Sequence, residues 1–286
     1  MTSTDSDTRA IAVSGSMDGS ITVGPSRGLL ANRRVQSIGW ASLPPLTFLA
    51  ILGAWAAAVP VFGIPSYLLP GPVAVFQRII SDASSLWSNS LITMSEIAIG
   101  FGLTVVIAIP LGLLIAVSKL AKHVVYPPIM LLQLVPKIAI APLLLVWLGF
   151  GMETKVVLVV LISFFPLLLV SVSGFAILDD RLLYLTKSMG ASSWQTFWYL
   201  RFPAALPVIF AGIKTSATMA ITAALVAEFV GSNDGLGYSL LRASGTLDTE
   251  LIFAILVVLT VIGIAVNYLV EFAEWLLTPW QRTRNS

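Results

Sequence analysis

Glu96, Lys137, Lys214 and Glu228 are ionisable side chains that fall inside apolar runs long enough to cross a membrane. A charge near a bilayer centre costs about 2.5–3.5 kcal/mol on insertion scales, so such groups turn to protein or water rather than to lipid. Glu96 and Lys214 lie within about ten residues of a run's end, where a long side chain reaches the interface, and are expected to snorkel. Lys137 sits near the middle of its run. Glu228 closes the stretch Ala223-Ala-Leu-Val-Ala-Glu228, just before Gly231-Ser-Asn-Asp-Gly-Leu-Gly-Tyr238. For these two, and for Gln133 in the run of Lys137, two readings stand: they line a solute pathway, or the lysine snorkels and the carboxylate caps backbone donors. No enzyme constellation accompanies them. The chain has no cysteine, one histidine (His123), no Gly-x-x-x-x-Gly-Lys-Ser/Thr phosphate loop, no His-Glu-x-x-His and no Gly-x-Ser-x-Gly. Any energy that drives it comes from an ion gradient or from a partner.

The elements that position these residues are set by composition. Of 286 residues, 57% are hydrophobic and 10% charged, against about 25% charged in a soluble domain. Six apolar runs cover about 44–62, 93–117, 125–148, 156–178, 204–230 and 251–277. Backbone groups in lipid must be paired within a helix or a closed barrel, and these runs far exceed the ~10 residues of a barrel strand. The expected fold is therefore all-α and polytopic, with six transmembrane helices over residues 41–280. Eleven Lys and Arg fall in the segments on one side and three (Arg78, Lys155, Arg242) on the other. That bias places both termini in the cytoplasm. A net charge of +2 gives no reason to expect nucleic acid as a partner; membrane lipid is the surrounding one.

Residues 1–40 read as a disordered cytoplasmic tail, rich in Ser, Thr, Asp and Gly through residue 36, and 281–286 as a short C-terminal tail. The first run lies too far from Met1 for a cleaved signal and reads as a retained span. Three prolines in Ile64-Pro-Ser-Tyr-Leu-Leu-Pro-Gly-Pro72 forbid one helix there. The amphipathic segment Val73–Leu86, with Arg78 and Asp82 four apart, is expected to lie as one helix on the outer surface. The third span carries prolines at 127, 128, 136 and 142 and should be broken, facing protein or a cavity.

Between the fourth and fifth runs, Gly190–Leu200 has the periodicity of a short amphipathic helix. Trp194, Phe197 and Trp198 fall on one face at i, i+3 and i+4, with Ser192, Gln195 and Thr196 turned away. Arg201 and the Phe202-Pro203 pair should end it, since the residue before a proline disfavours helix. Such a cytoplasmic helix lies on the membrane or docks into a groove of another protein; periodicity alone does not choose.

Gly190, nine residues, then Leu200-Arg-Phe-Pro203 resembles the cytoplasmic EAA loop of ABC-importer permeases, although Tyr184-Leu-Thr186 stands where that family often has Glu-Ala-Ala. The likeness extends over about 65–280. Pro136–Gly151 and Ala227–Tyr238 are similar to the branch that carries nitrate, sulfonates, taurine, pyrimidine precursors, riboflavin and aromatic carboxylates. The resemblance implies a type I importer in a bacterial cytoplasmic membrane. It would have two permease copies, expected as a homodimer, two ATPase subunits and an extracytoplasmic binding protein. This chain would bind no cofactor, the ATP being used by the partner. The loop 182–202 would couple to the ATPase through Gly190, Ala191, Ser192, Trp194, Phe197, Trp198, Leu200 and Pro203. Lys137 in a pore would favour a small anionic solute. A secondary transporter is the alternative, but it predicts paired broken helices, and one broken span has no convincing partner. A membrane-embedded enzyme would need clustered His, Asp or Cys, which the chain lacks.

Overall fold

The computed structural model describes residues 46–280. The expected tails, 1–40 and 281–286, lie outside the described residues. Helix α1 (Leu46–Val61) opens the described chain. Up to Gly53 it belongs to a separate unit, and from Ala54 to the unit that holds everything after it. In the latter part, Trp55 anchors the helix by donating its indole N–H to the Pro70 carbonyl at 3.1 Å and packing 5.8 Å from the Phe253 ring.

After the proline-rich link comes α2 (Pro72–Ser81), whose first turn is compatible with Pro72 because no N–H is needed there. The expected single helix 73–86 does not form. The backbone leaves helical geometry at Asp82 (φ −102°, ψ 15°), and Leu86 belongs to α3 (Ala83–Val117). Arg78 explains the angle: it pairs with Asp82 at 3.1 Å and with Asp248 at 2.7 Å, so α2 is pinned to the start of α12 (Thr249–Leu277) rather than lying free on the surface.

Three helices form the core: α3, α7 (Met152–Phe175) and α10 (Phe202–Gly231). Without a hydrophobic drive between helices in lipid, close approach depends on small residues and shared hydrogen bonds. A Cβ added at Gly100 would come within 2.5 Å of Val159, at Gly112 within 2.6 Å of Ser171, and at Gly212 within 2.7 Å of Val170. Where the three meet, Thr104 and Ser163 hydroxyls bond at 2.8 Å, and Ser216 donates to the Ser163 carbonyl at 2.6 Å.

Between α3 and α7 the chain runs through α4 (Lys119–Val124), α5 (Tyr126–Leu132), a tight turn Lys137–Ile140 and α6 (Ala141–Leu148). The segments Lys119–Leu132 and Lys137–Leu148 are bent by 78°, and Pro136 stands at the break, as the proline pattern anticipates. Among the described residues, α3, α7, Ser193–Gly231 and α12 are each long and apolar enough to span a membrane, and the bent pair can make a fifth crossing. The described part of α1 is shorter. Among the described residues the other helices are α8 (Asp180–Ser188), the short α9 (Ser193–Thr196) and α11 (Leu236–Gly245).

Candidate functional site

The loop between α7 and α10 is built by local rules. Helix α8 ends where Gly190 takes φ +79°, a left-handed conformation that costs a glycine nothing. This lets Ala191 N–H reach the Thr186 carbonyl and Gly190 N–H the Lys187 carbonyl, both at 3.0 Å, and so satisfies the open end of α8. Ser192 and Gln195 then form a reciprocal cap at 2.8 and 3.2 Å and start α9 (Ser193–Thr196). The expected break at Phe202-Pro203 is absent. Phe197–Arg201 form a wider turn in which the Phe202 N–H bonds to the Phe197 carbonyl, and α10 continues directly, with Pro203 in its first turn. The five-residue repeat accommodates the ring and the missing donor that would disrupt a regular turn. Residues Ser193–Gly231 therefore run as one 39-residue helix from the loop to the far end of α10.

The apolar face expected from periodicity divides. Phe197 turns inward, 6.5 Å from Phe175 on α7 and 5.9 Å from Phe202. Trp194 is 69% exposed and Trp198 44%. Tyr199, which the periodicity did not single out, is 83% exposed, and Tyr184 and Met189 are similarly bare. Ala191 and Leu200 are half-buried, as is Pro203, and Ser192 is exposed. Behind the loop, toward α3, lies a cavity of about 750 Å³ lined by Val117, Tyr184, Lys187, Phe197 and Arg201 among others.

Gln133 and Lys137 meet at the break of the bent pair, in a second cavity of about 540 Å³ with Phe165, Leu169 and Met219. The Lys137 ammonium donates to the Gln133 carbonyl at 2.7 Å and lies 4.7 Å from the centre of the Phe165 ring. A cation over an aromatic face is partly compensated without an anion. The ammonium keeps donor capacity toward the cavity.

Glu228 is elsewhere. Fully buried, it accepts from the Thr93 hydroxyl at 2.6 Å and from the Gly237 N–H in the first turn of α11. The Leu236 N–H donates to Thr93 at 2.9 Å and the Gly235 N–H to Asn89 at 2.8 Å. The first donors of α11 are thus met by three side chains from α3 and α10. Glu96 does not snorkel: it is fully buried and paired at 2.6 Å with Lys155, which belongs to the first turn of α7. Helix α3 begins well before the apolar run does, so Glu96 is deep within it. Lys214 instead pairs with Glu274 of α12 at 2.6 Å. The sequence did carry a sign of the group on α3, since Asn89, Thr93 and Glu96 stand at i, i+4 and i+7 on one helical face. Among the described residues, no group of three or more His, Asp or Glu could hold a metal ion.

The described residues thus hold an apolar helical core, a capped helix in the α7–α10 loop and, at a broken helix, a mostly apolar cavity that contains one ammonium. Residues 108–283 match the family described as the binding-protein-dependent transport system inner membrane component. The chain belongs to that family. It is 35% identical to the riboflavin transport system permease protein RibX of Chloroflexus aurantiacus, covering 87% of this chain and 94% of the relative. It is 32% identical to the formylaminopyrimidine transport permease protein ThiX of Halalkalibacterium halodurans (84% and 96%) and 25% identical to the taurine transport system permease protein TauC of Escherichia coli (82% and 88%). The fold is shared with an inward-facing structure of the MetNI methionine ABC transporter, at a TM-score of 0.54 and 19% identity over 69% of this chain and 94% of that one. This binding-protein-dependent transport component is thus an integral inner-membrane permease subunit of an ABC importer and not an enzyme; ATP hydrolysis belongs to a separate subunit.

Proposed function

We propose that two copies of this chain form the pathway for a small anionic solute delivered by an extracytoplasmic binding protein, and that each copy seats its α9 loop in one of two cytoplasmic ATPases. Both termini face the cytoplasm in this arrangement, and the ATP is bound by the partner alone. The observation that carries the coupling reading is the continuous helix Ser193–Gly231, which leaves Trp194 and Tyr199 bare at one end while its other end reaches the turn before α11. A rigid helix tied to the loop transmits movement of a partner to the core, and closure of the ATPases would shift the population between inward- and outward-open states. Trp194→Ala combined with Tyr199→Ala should leave the permease inserted and monodisperse while abolishing co-purification of the ATPase. Recovery of the intact complex with this variant would refute the docking role.

The solute reading rests on Lys137 and Gln133 in the 540 Å³ cavity. An ammonium in a mostly apolar site favours negative charge or strong acceptor oxygens. The relatives named for taurine, riboflavin and formylaminopyrimidine support a small organic solute, while the anionic character is argued from Lys137 alone and would admit an inorganic anion such as nitrate as well. Lys137→Gln should cut uptake at least tenfold in proteoliposomes holding the assembled importer, with assembly and ATPase binding intact. Normal uptake would remove the anion argument. Native mass spectrometry of the complex tests the two-copy stoichiometry.

A further inference from the structure

Glu96, Glu228 and Lys155 form a buried group that the transport reading does not use. Each carboxyl is fully inaccessible to solvent. Thr93, which bonds Glu228, stands one turn before Glu96 on α3, so the two carboxyls are neighbours, and the one ammonium bonded to the group is that of Lys155, on Glu96. Their partners account for three of the four oxygens. Lys155 donates to Glu96 Oε1, Thr93 to Glu228 Oε1 and the Gly237 amide to Glu228 Oε2. Glu96 Oε2 is buried with no donor at all. Two anions against one cation, with an orphan acceptor beside the second anion, is an arrangement that burial strongly disfavours.

We propose that the Glu96–Glu228 pair holds one proton, shared across the gap between the two carboxyl groups. A carboxyl O–H on Glu228 then donates to Glu96 Oε2, or one on Glu96 Oε2 to Glu228, and the orphan is satisfied in either case. The group of two carboxyls, one ammonium and one proton becomes electrically neutral, as expected for a cluster away from water. A metal cation does not fit the same space. The Glu228 carboxyl is pressed against the backbone of Gly235 and Gly237, where even a Cβ would collide with it, and only two acidic groups are present. The groups bonded to the pair are Thr93 on α3, Lys155 on α7 and the Gly237 amide at the start of α11. None of these besides Lys155 is ionisable. The proton would thus let one buried acid cap α11 while the other ties α3 to α7, joining four helices at this end of the molecule.

Infrared spectroscopy of the full chain in lipid nanodiscs at neutral pH tests this, with Glu96→Gln and Glu228→Gln as assigning variants. Each glutamine copies a protonated carboxyl in shape and donor capacity, so both single variants should fold and insert like the parent. The parent should show the carbonyl stretch of a protonated, hydrogen-bonded carboxylic acid, and this band should vanish in both variants, because removing either acid leaves one carboxylate balanced by Lys155. The double glutamine variant, with a buried ammonium and no anion, should be markedly less thermostable than either single one. Absence of the band in the parent overturns the proposal. So does a band that persists in one or both single variants, since the proton would then belong to one acid alone or lie elsewhere.

Discussion

The long helix Ser193–Gly231 has a glycine turn beyond each end, and the two turns are built on opposite plans. Gly190 (φ +79°) precedes it and Gly235 (φ +101°) follows it, both in left-handed geometry. Around Gly190 there is open space: an added Cβ would meet no atom within 4 Å. Around Gly235 an added Cβ would fall on the Glu228 carboxyl, whose own bonds close the start of α11. The first turn is satisfied by its own backbone and leaves its aromatic neighbours bare. The second is filled by Glu228 of the long helix itself and by Asn89 and Thr93 of α3. The proposed docking of a partner at the first turn needs an unoccupied surface, whereas a turn that fixes helices to one another needs the reverse.

The comparison can be broken at several points. Lys155→Met should have the largest effect, because it strips the buried acids of their cation; breaking a buried pair from one side costs about 3–5 kcal/mol. The thermal midpoint of the purified chain in detergent measures this, and an unchanged midpoint would mean that the filled turn owes nothing to its charges. Gly235→Ala comes next, at about 2–3 kcal/mol from left-handed strain together with displacement of the buried carboxylate. Gly190→Ala should be the mildest of the three, at about 1 kcal/mol, since only the backbone conformation is strained. Equal losses at the two glycines would show that the open space around Gly190 does not matter.

Much of the loop was legible because its determinants are local. The aromatic periodicity places a short helix over Gly190–Leu200, and the structure has it start at Ser193 instead, because Gly190 ends α8 and Ser192 with Gln195 caps α9. The continuity through Phe202-Pro203 was not legible. The rule that a residue before proline avoids helix holds for a regular turn, and here the turn widens. The broken third span could be read from Pro136, but its 78° bend and the placement of Lys137 over Phe165 bring together residues from different helices. Glu96 was misjudged for a related reason. Distance from the end of an apolar run says how far a side chain must reach for water, not whether Lys155 is nearer.

The sequence by itself determined that the chain is a helical membrane protein, where its apolar segments lie and which of them is broken. Hydropathy and proline chemistry are properties of the linear chain, so a linear reading captures them. The tertiary structure decided which charges meet. Lys155 finds Glu96 across 59 residues, and Thr93 finds Glu228 across 135. These pairings depend on how closely α3, α7 and α10 approach, which glycines at 100, 112 and 212 permit only once the helices are packed. The same packing separates Glu228 from Lys137, two residues that looked alike as charges within spans: the acid closes a helix end, and the lysine faces a cavity.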